Sequence, residues 1–153
     1  MKVRFVELAE PLREGGLEKA AADMARYLQS AGVDVVRENT LPEDLTSLDL
    51  VHFHGLWSPA HARIARSCRK ARIPTVVSPH GMLEPWAWKH RRWKKWPYFH
   101  LIEKHRLRWA DCLLATASQE AANLSRFFPS SRIEVLPLGI DPDISPDYEE
   151  ARK

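Results

Sequence analysis

Six short apolar runs, each separated from the next by a helical pattern or a turn, most limit what this chain can fold into. The runs fall at residues 2–8, 33–37, 48–53, 74–78, 112–116 and 132–136. They are rich in β-branched and aromatic residues, which suit a pleated surface. The run at 48–53 is nearly continuous in apolar character, as expected for a strand covered on both faces. Between the runs the period changes. Leu17, Ala21, Met24 and Leu28 recur at steps of four, three and four, one face of a helix, and Gly32 follows as a left-handed cap. Ser58 and Pro59 read as N-cap and first residue of a helix reaching about Arg72. The stretch 82–110 reads as helical, with Pro97 starting or kinking its second part. There Tyr98, Ile102, His105 and Trp109 repeat on one face, and Ser118 is placed to cap one more helix. Strands alternating with helices predict an α/β fold: a Rossmann-like, mostly parallel sheet with helices on both faces.

The chain has 153 residues, enough for one domain with its own core. We expect the folded unit over 1–142, with 143–153 a polar, frayed tail. No run approaches the ~20 apolar residues of a membrane span, and the N-terminus is too acidic for a signal peptide. Cys68 and Cys112 share no metal-type spacing and read as reduced thiols. Together these features point to the cytoplasm.

Ligands of such sheets lie outside the carboxyl ends of the strands, so the loops at 9–16, 54–58, 79–86, 117–118 and 137–142 carry the functional expectation. Gly15 and Gly16 precede a helix. They can let the backbone approach a phosphate, although a plain turn has the same signature. His52 and His54 share one strand face. No third ligand stands near them, so no metal site is expected. His54 and Trp57 are candidates to touch a sugar or phosphate, and a satisfied structural role for the histidines is the competing reading. His80 ends the fourth strand beside Gly81. It can donate to a substrate hydroxyl or a departing phosphate, and its ordinary pKa lies close to neutral pH. Glu84 could face the same space or simply favour a helix start.

The net charge is only +3, yet from Trp86 to Arg108 eight Lys or Arg residues meet one acid, Glu103. Within that block Trp86, Trp88, Trp93 and Trp96 alternate with Lys89, Arg91, Arg92, Lys94 and Lys95. Indoles interleaved with cations suit an anionic membrane or a lipid-linked acceptor. They also suit a polyanion, with nucleic acid the least favoured, or a face on which the indoles pack and the cations are solvated.

The segments LDLVHFHGLWSP, PTVVSPHGMLEPWAW, ADCLLATASQEAANL and RIEVLPLGIDP, in that order after the Gly-Gly turn, resemble the N-terminal domain of family 4 glycosyltransferases. The likeness is strongest to bacterial members that build surface polysaccharide. The resemblance covers about 1–142 and implies one half of a GT-B fold. It implies sugar transfer from a nucleotide-sugar donor, with retention, to a saccharide or lipid-linked acceptor, and no bound metal or cofactor. By the same resemblance Gly15 and Gly16 lie near the donor diphosphate and His80 near the transferred sugar. The chain stops shortly past Asp141, so a separate or missing C-terminal domain is expected to grip the donor. The competing expectation is a non-catalytic Rossmann-like module that docks on anionic membrane or polymer through residues 86–108. The first reading places the protein in the cytoplasm, with a peripheral position on the inner face of the membrane.

Overall fold

The computed structural model describes residues 1–6, 16–38, 47–89 and 92–138, and for Glu38, Trp88, Lys89 and Arg92 the backbone alone. Its strands are β1 (Lys2–Val6), β2 (Asp34–Glu38), β3 (Leu50–His54), β4 (Thr75–Ser78), β5 (Cys112–Ala115) and β6 (Ile133–Val135). They form one parallel sheet in the order β2-β1-β3-β4-β5-β6. The direction of winding reverses between β1 and β3. That switch point is where a doubly wound sheet opens a crevice at its carboxyl edge.

Helix α1 (Gly16–Ser30) joins β1 to β2. Its Ala25, with Met24 and Leu28 beside it, packs on Val3, Phe5 and Val35. Gly32 ends the turn after it with φ +83°, and the Val33 N–H donates back to the Leu28 carbonyl at 3.0 Å. The conformation costs glycine little because it has no Cβ. The other face of the sheet carries α2 (Pro59–Ala71), α5 (Lys104–Trp109) and α6 (Ser118–Phe127). A larger core lies there, built on Val51, Phe53, Val77, Leu113 and Ala115 and closed by Cys68, Phe99, Leu107, Leu124 and Phe128. Each buried Val, Leu or Phe among them contributes roughly 1.5–3 kcal/mol. Cys68 is free and wholly buried, and burial pushes its thiol up to about 11.

Helix α2 starts as its sequence dictates. The Ser58 Oγ accepts from the His61 N–H at 3.3 Å, and Pro59 stands first. Ser118 instead opens α6 without capping it; the N-cap is Ala117, with no side-chain bond. Glu120, in the first turn, accepts with Oε2 from Thr116 N and Thr116 Oγ1 at 2.8 Å, just ahead of the cap.

The stretch 82–110 differs from the single amphipathic face read from sequence. It holds α3 (Pro85–Lys89), α4 (Arg92–Tyr98), a π-helical turn (Phe99–Glu103) and then α5. Pro97 sits inside α4, where it offers no N–H to the helix ladder, and the ladder widens just beyond it. The wider turn resets the phase. The buried face is Phe99, Glu103, Arg106 and Leu107, while Ile102, His105 and Trp109 are exposed. Charge patterning hid this, because Glu103 and Arg106 are buried as a pair. Two Arg106–Glu103 contacts run 2.6 Å and 3.3 Å, with both side chains almost fully shielded.

Candidate active site

The switch point sets the position of the first functional side chain. In β3, Val51 and Phe53 face the larger core, so His52 and His54 face the α1 side beside Phe5. Parallel register aligns His54 with Ser78, the last residue of β4, and the chain then turns through Pro79 into His80. The result is a row of imidazoles that ends at the rim. The His52 and His54 rings are 4.1 Å apart, and His54 and His80 stack at 5.3 Å. His54 Nδ1 and His80 Nε2 lie 3.1 Å apart, one donating and the other accepting. His52 Nε2 shares a 2.8 Å bond with Ser78 Oγ.

Burial keeps this row neutral. Desolvation, helped by the neighbouring imidazole of His80, drops His52 to about 3. Desolvation and then the His52 and His80 rings hold His54 far below the ordinary value. His80 is lowered by burial and pulled back up by the Glu120 carboxylate. An imidazole of this kind offers one N–H and one lone pair at neutral pH. It can orient a hydroxyl without delivering net charge.

The two loops that follow β3 and β4 are bound to each other. Gly55 N donates to the Ser78 carbonyl at 2.9 Å, and Leu56 N meets Met82 Sδ at 3.2 Å. Both turns use left-handed backbone: Gly55 at φ +83°, Trp57 at +70°, His80 at +52° and Gly81 at +73°. Such values cost a non-glycine residue roughly 1–2 kcal/mol and persist where surroundings enforce them. Here buried carboxylates enforce them. Glu120 Oε1 accepts from Gly81 N at 2.7 Å, tying the His80 turn to the end of β5. Glu103 Oε1 accepts from Trp57 N at 2.6 Å, and Arg106 Nη2 reaches the Gly55 carbonyl at 3.3 Å.

Of the side chains expected to act, the structure brings together His54 and His80, with His54 wholly buried; Trp57 and Glu84 stand on the same two loops but are engaged elsewhere. The Trp57 ring is half-buried between Tyr98 and Phe99, with Lys95 Nζ 5.4 Å above it. Glu84 accepts from Asn123 Nδ2 at 2.8 Å, which draws its carboxylate toward α6. Gly16 opens α1, and a Cβ built on it meets no atom within 4 Å. Gly15 and Arg91 lie outside the described residues, as do the side chains of Trp88, Lys89 and Arg92 and the whole tail 143–153. Trp86, Trp93 and Trp96 are exposed. Among the described residues no group of three or more His, Cys, Asp or Glu is arranged to hold a metal ion.

Sequence reasoning did not find Glu103, Arg106, Glu120 or Ser78. Ser78 was reachable, since it ends the fourth strand next to Pro79-His80. Glu120 carried a weaker signal, an acid in the first turn of a helix that follows a strand end.

Fold and site together define a class: a doubly wound α/β lobe with a hydrogen-bonded histidine pair beside its switch point. The family model for Glycosyltransferase Family 4 matches residues 40–144, and the chain belongs to that family. The match takes in β3 to β6 with both rim loops and leaves β1, α1 and β2 outside it. A search of curated proteins finds no significant match.

Proposed function

We propose that this chain forms the acceptor-side lobe of a retaining glycosyltransferase. It helps move a sugar from a nucleotide-sugar donor to a saccharide or lipid-linked acceptor in surface polysaccharide synthesis. One observation carries the reading: His54 and His80 meet, neutral and hydrogen-bonded, at the carboxyl edge of the switch point.

The reaction breaks the bond between the anomeric carbon and the leaving phosphate oxygen. A bond forms from that carbon to an acceptor hydroxyl oxygen, and the hydroxyl proton departs. Charge grows on the phosphate and on the sugar ring. His80, with Nε2 engaged by His54, has Nδ1 left to donate to a sugar or acceptor hydroxyl. Gly16 and the first N–H groups of α1 would face the diphosphate, where a helix start favours negative charge. Glu84 and Glu120 hold protein N–H groups, so neither carboxylate is assigned as a nucleophile or base. Hydrolysis of glycosides would need such a pair. No metal or cofactor is assigned a role.

The test is transfer of labelled sugar by this chain joined to a donor-binding lobe. His80→Ala is expected to slow transfer about a hundredfold, the ~3 kcal/mol worth of one well-aimed donor. Undiminished transfer would remove His80 from the site.

A further inference from the structure

The charge of this chain is split more sharply than its net value suggests. Residues 50–110 hold thirteen Lys or Arg and two acids, while the rest of the chain holds ten Lys or Arg and eighteen acids. Neither of the two acids is a free surface charge. Glu103 is buried with Arg106, and Glu84 is bonded to Asn123. The excess positive charge sits on one side of the sheet. It is carried by the exposed Arg63, Arg66, Arg69 and Lys70 of α2 and by Lys94 and Arg108 in the run from α4 through α5 that packs beside it.

The same run shows large apolar side chains to solvent. Trp93 is 75% exposed, Trp96 54% and Leu101 75%. Their spacing of three and five residues keeps them on the side of the helix opposite buried Phe99, Glu103 and Arg106. Trp86, 72% exposed, stands on α3, which Lys95 ties to α4 through the Ala87 carbonyl at 2.7 Å. Exposed large side chains in such a row mark an interaction surface.

We propose that this face docks on an anionic lipid bilayer. Trp86, Trp93, Trp96 and Leu101 enter the interface, and the cations of α2, α4 and α5 meet lipid phosphates. Exposed indoles and a leucine set among cations, with Glu84 turned to Asn123, suit an apolar interface beneath lipid phosphates better than the base-stacking groove that nucleic acid needs. The face also adjoins the rim. The Trp86 ring lies 3.9 Å from where a Cβ on Gly81 would sit, next to His80. Resting on the glycosyltransferase reading, docking would therefore bring the rim close to a membrane and favour an acceptor carried on lipid.

The test uses the full chain and vesicles of phosphatidylcholine alone or mixed with phosphatidylglycerol, in low and high salt. Adsorption is read by sedimentation and by the blue shift of tryptophan emission. Binding is expected only to the mixed vesicles, and to fall in high salt as the Debye length shrinks from about 30 Å to about 3 Å. Trp93→Ser with Leu101→Ser, and separately Lys94→Glu, are each expected to weaken binding about tenfold or more with unchanged circular dichroism. Absent binding in low salt overturns the proposal. So does equal binding to neutral vesicles, unaltered binding of both variants, or single-stranded DNA that displaces the vesicles. Adsorption is measured without sugar transfer, so its failure would leave the assignment of His80 standing.

Discussion

Three imidazoles packed in a row cannot take up protons without bringing charge into a buried site. His52, His54 and His80 all lie below their ordinary 6.5 in the fold, His52 at about 3. The unfolded chain therefore binds more protons than the folded one as pH drops. Stability is complete above 6.5 and is lost as pH falls toward 3. Urea midpoints measured from about pH 7.5 to about pH 5 should fall, each buried histidine contributing up to ~1.4 kcal/mol per pH unit. A midpoint that stays flat would mean the row is open to water. Two neighbours hold the row in place. Glu120→Ala strips the acceptor from Gly81 N, Thr116 N and Thr116 Oγ1, all part-buried, and is expected to cost about 1–3 kcal/mol in all. Gly81→Ala meets no clash, its nearest side-chain atoms being 3.8 Å and 3.9 Å away, so its cost is backbone strain of roughly 1–2 kcal/mol at φ +73°. Thermal melts of the two variants check both figures. His80 was legible in the sequence, because a histidine and a glycine at a strand end announce a rim turn. Its partner was half-legible: the spacing of His52 and His54 gave the shared face but not which strand end would lie against it.

At the scale of elements, the π turn between α4 and α5 is where sequence reading failed. A strict helical period through Tyr98, Ile102, His105 and Trp109 assumes an unbroken ladder, and Pro97 breaks it. The register then carries two charged residues inward, which no rule about solvated charges would choose. That pair braces a strained turn, since Glu103 holds Trp57 N and Arg106 holds the Gly55 carbonyl. Arg106→Met leaves Glu103 buried without its cation and is expected to cost about 3–5 kcal/mol. The double change to Glu103→Leu with Arg106→Met should recover much of that loss in a chemical melt, yet leave the 55–57 turn without its hydrogen bonds. Equal losses for the single and double variants would show that the pair is not a coupled unit. The caps divided in the same way. Ser58-Pro59 could be read directly, whereas Ser118 is the first helical residue, the cap falls on Ala117, and Glu120 is bonded to Thr116 ahead of it.

At the scale of the molecule, the alternation of apolar runs was enough for a parallel α/β sheet, because each run had room for a crossover before the next. Strand order was not legible, since periodicity says nothing about which strand lies beside which. It is the order β2-β1-β3 that puts the switch point, where such sheets open their crevice, beside His54. The basic, tryptophan-rich stretch was visible as composition, but its exposed ridge depended on the phase that the π turn sets. The functional account rests on His54 and His80 forming one neutral, hydrogen-bonded pair at that crevice. Nitrogen-15 NMR of the imidazoles across a pH titration reads this directly. The account predicts that both rings titrate below 6.5, the ordinary histidine value, and that His54 Nδ1 and His80 Nε2 share one proton-bearing bond. Two rings that titrate independently near 6.5, with no shared bond, would contradict it.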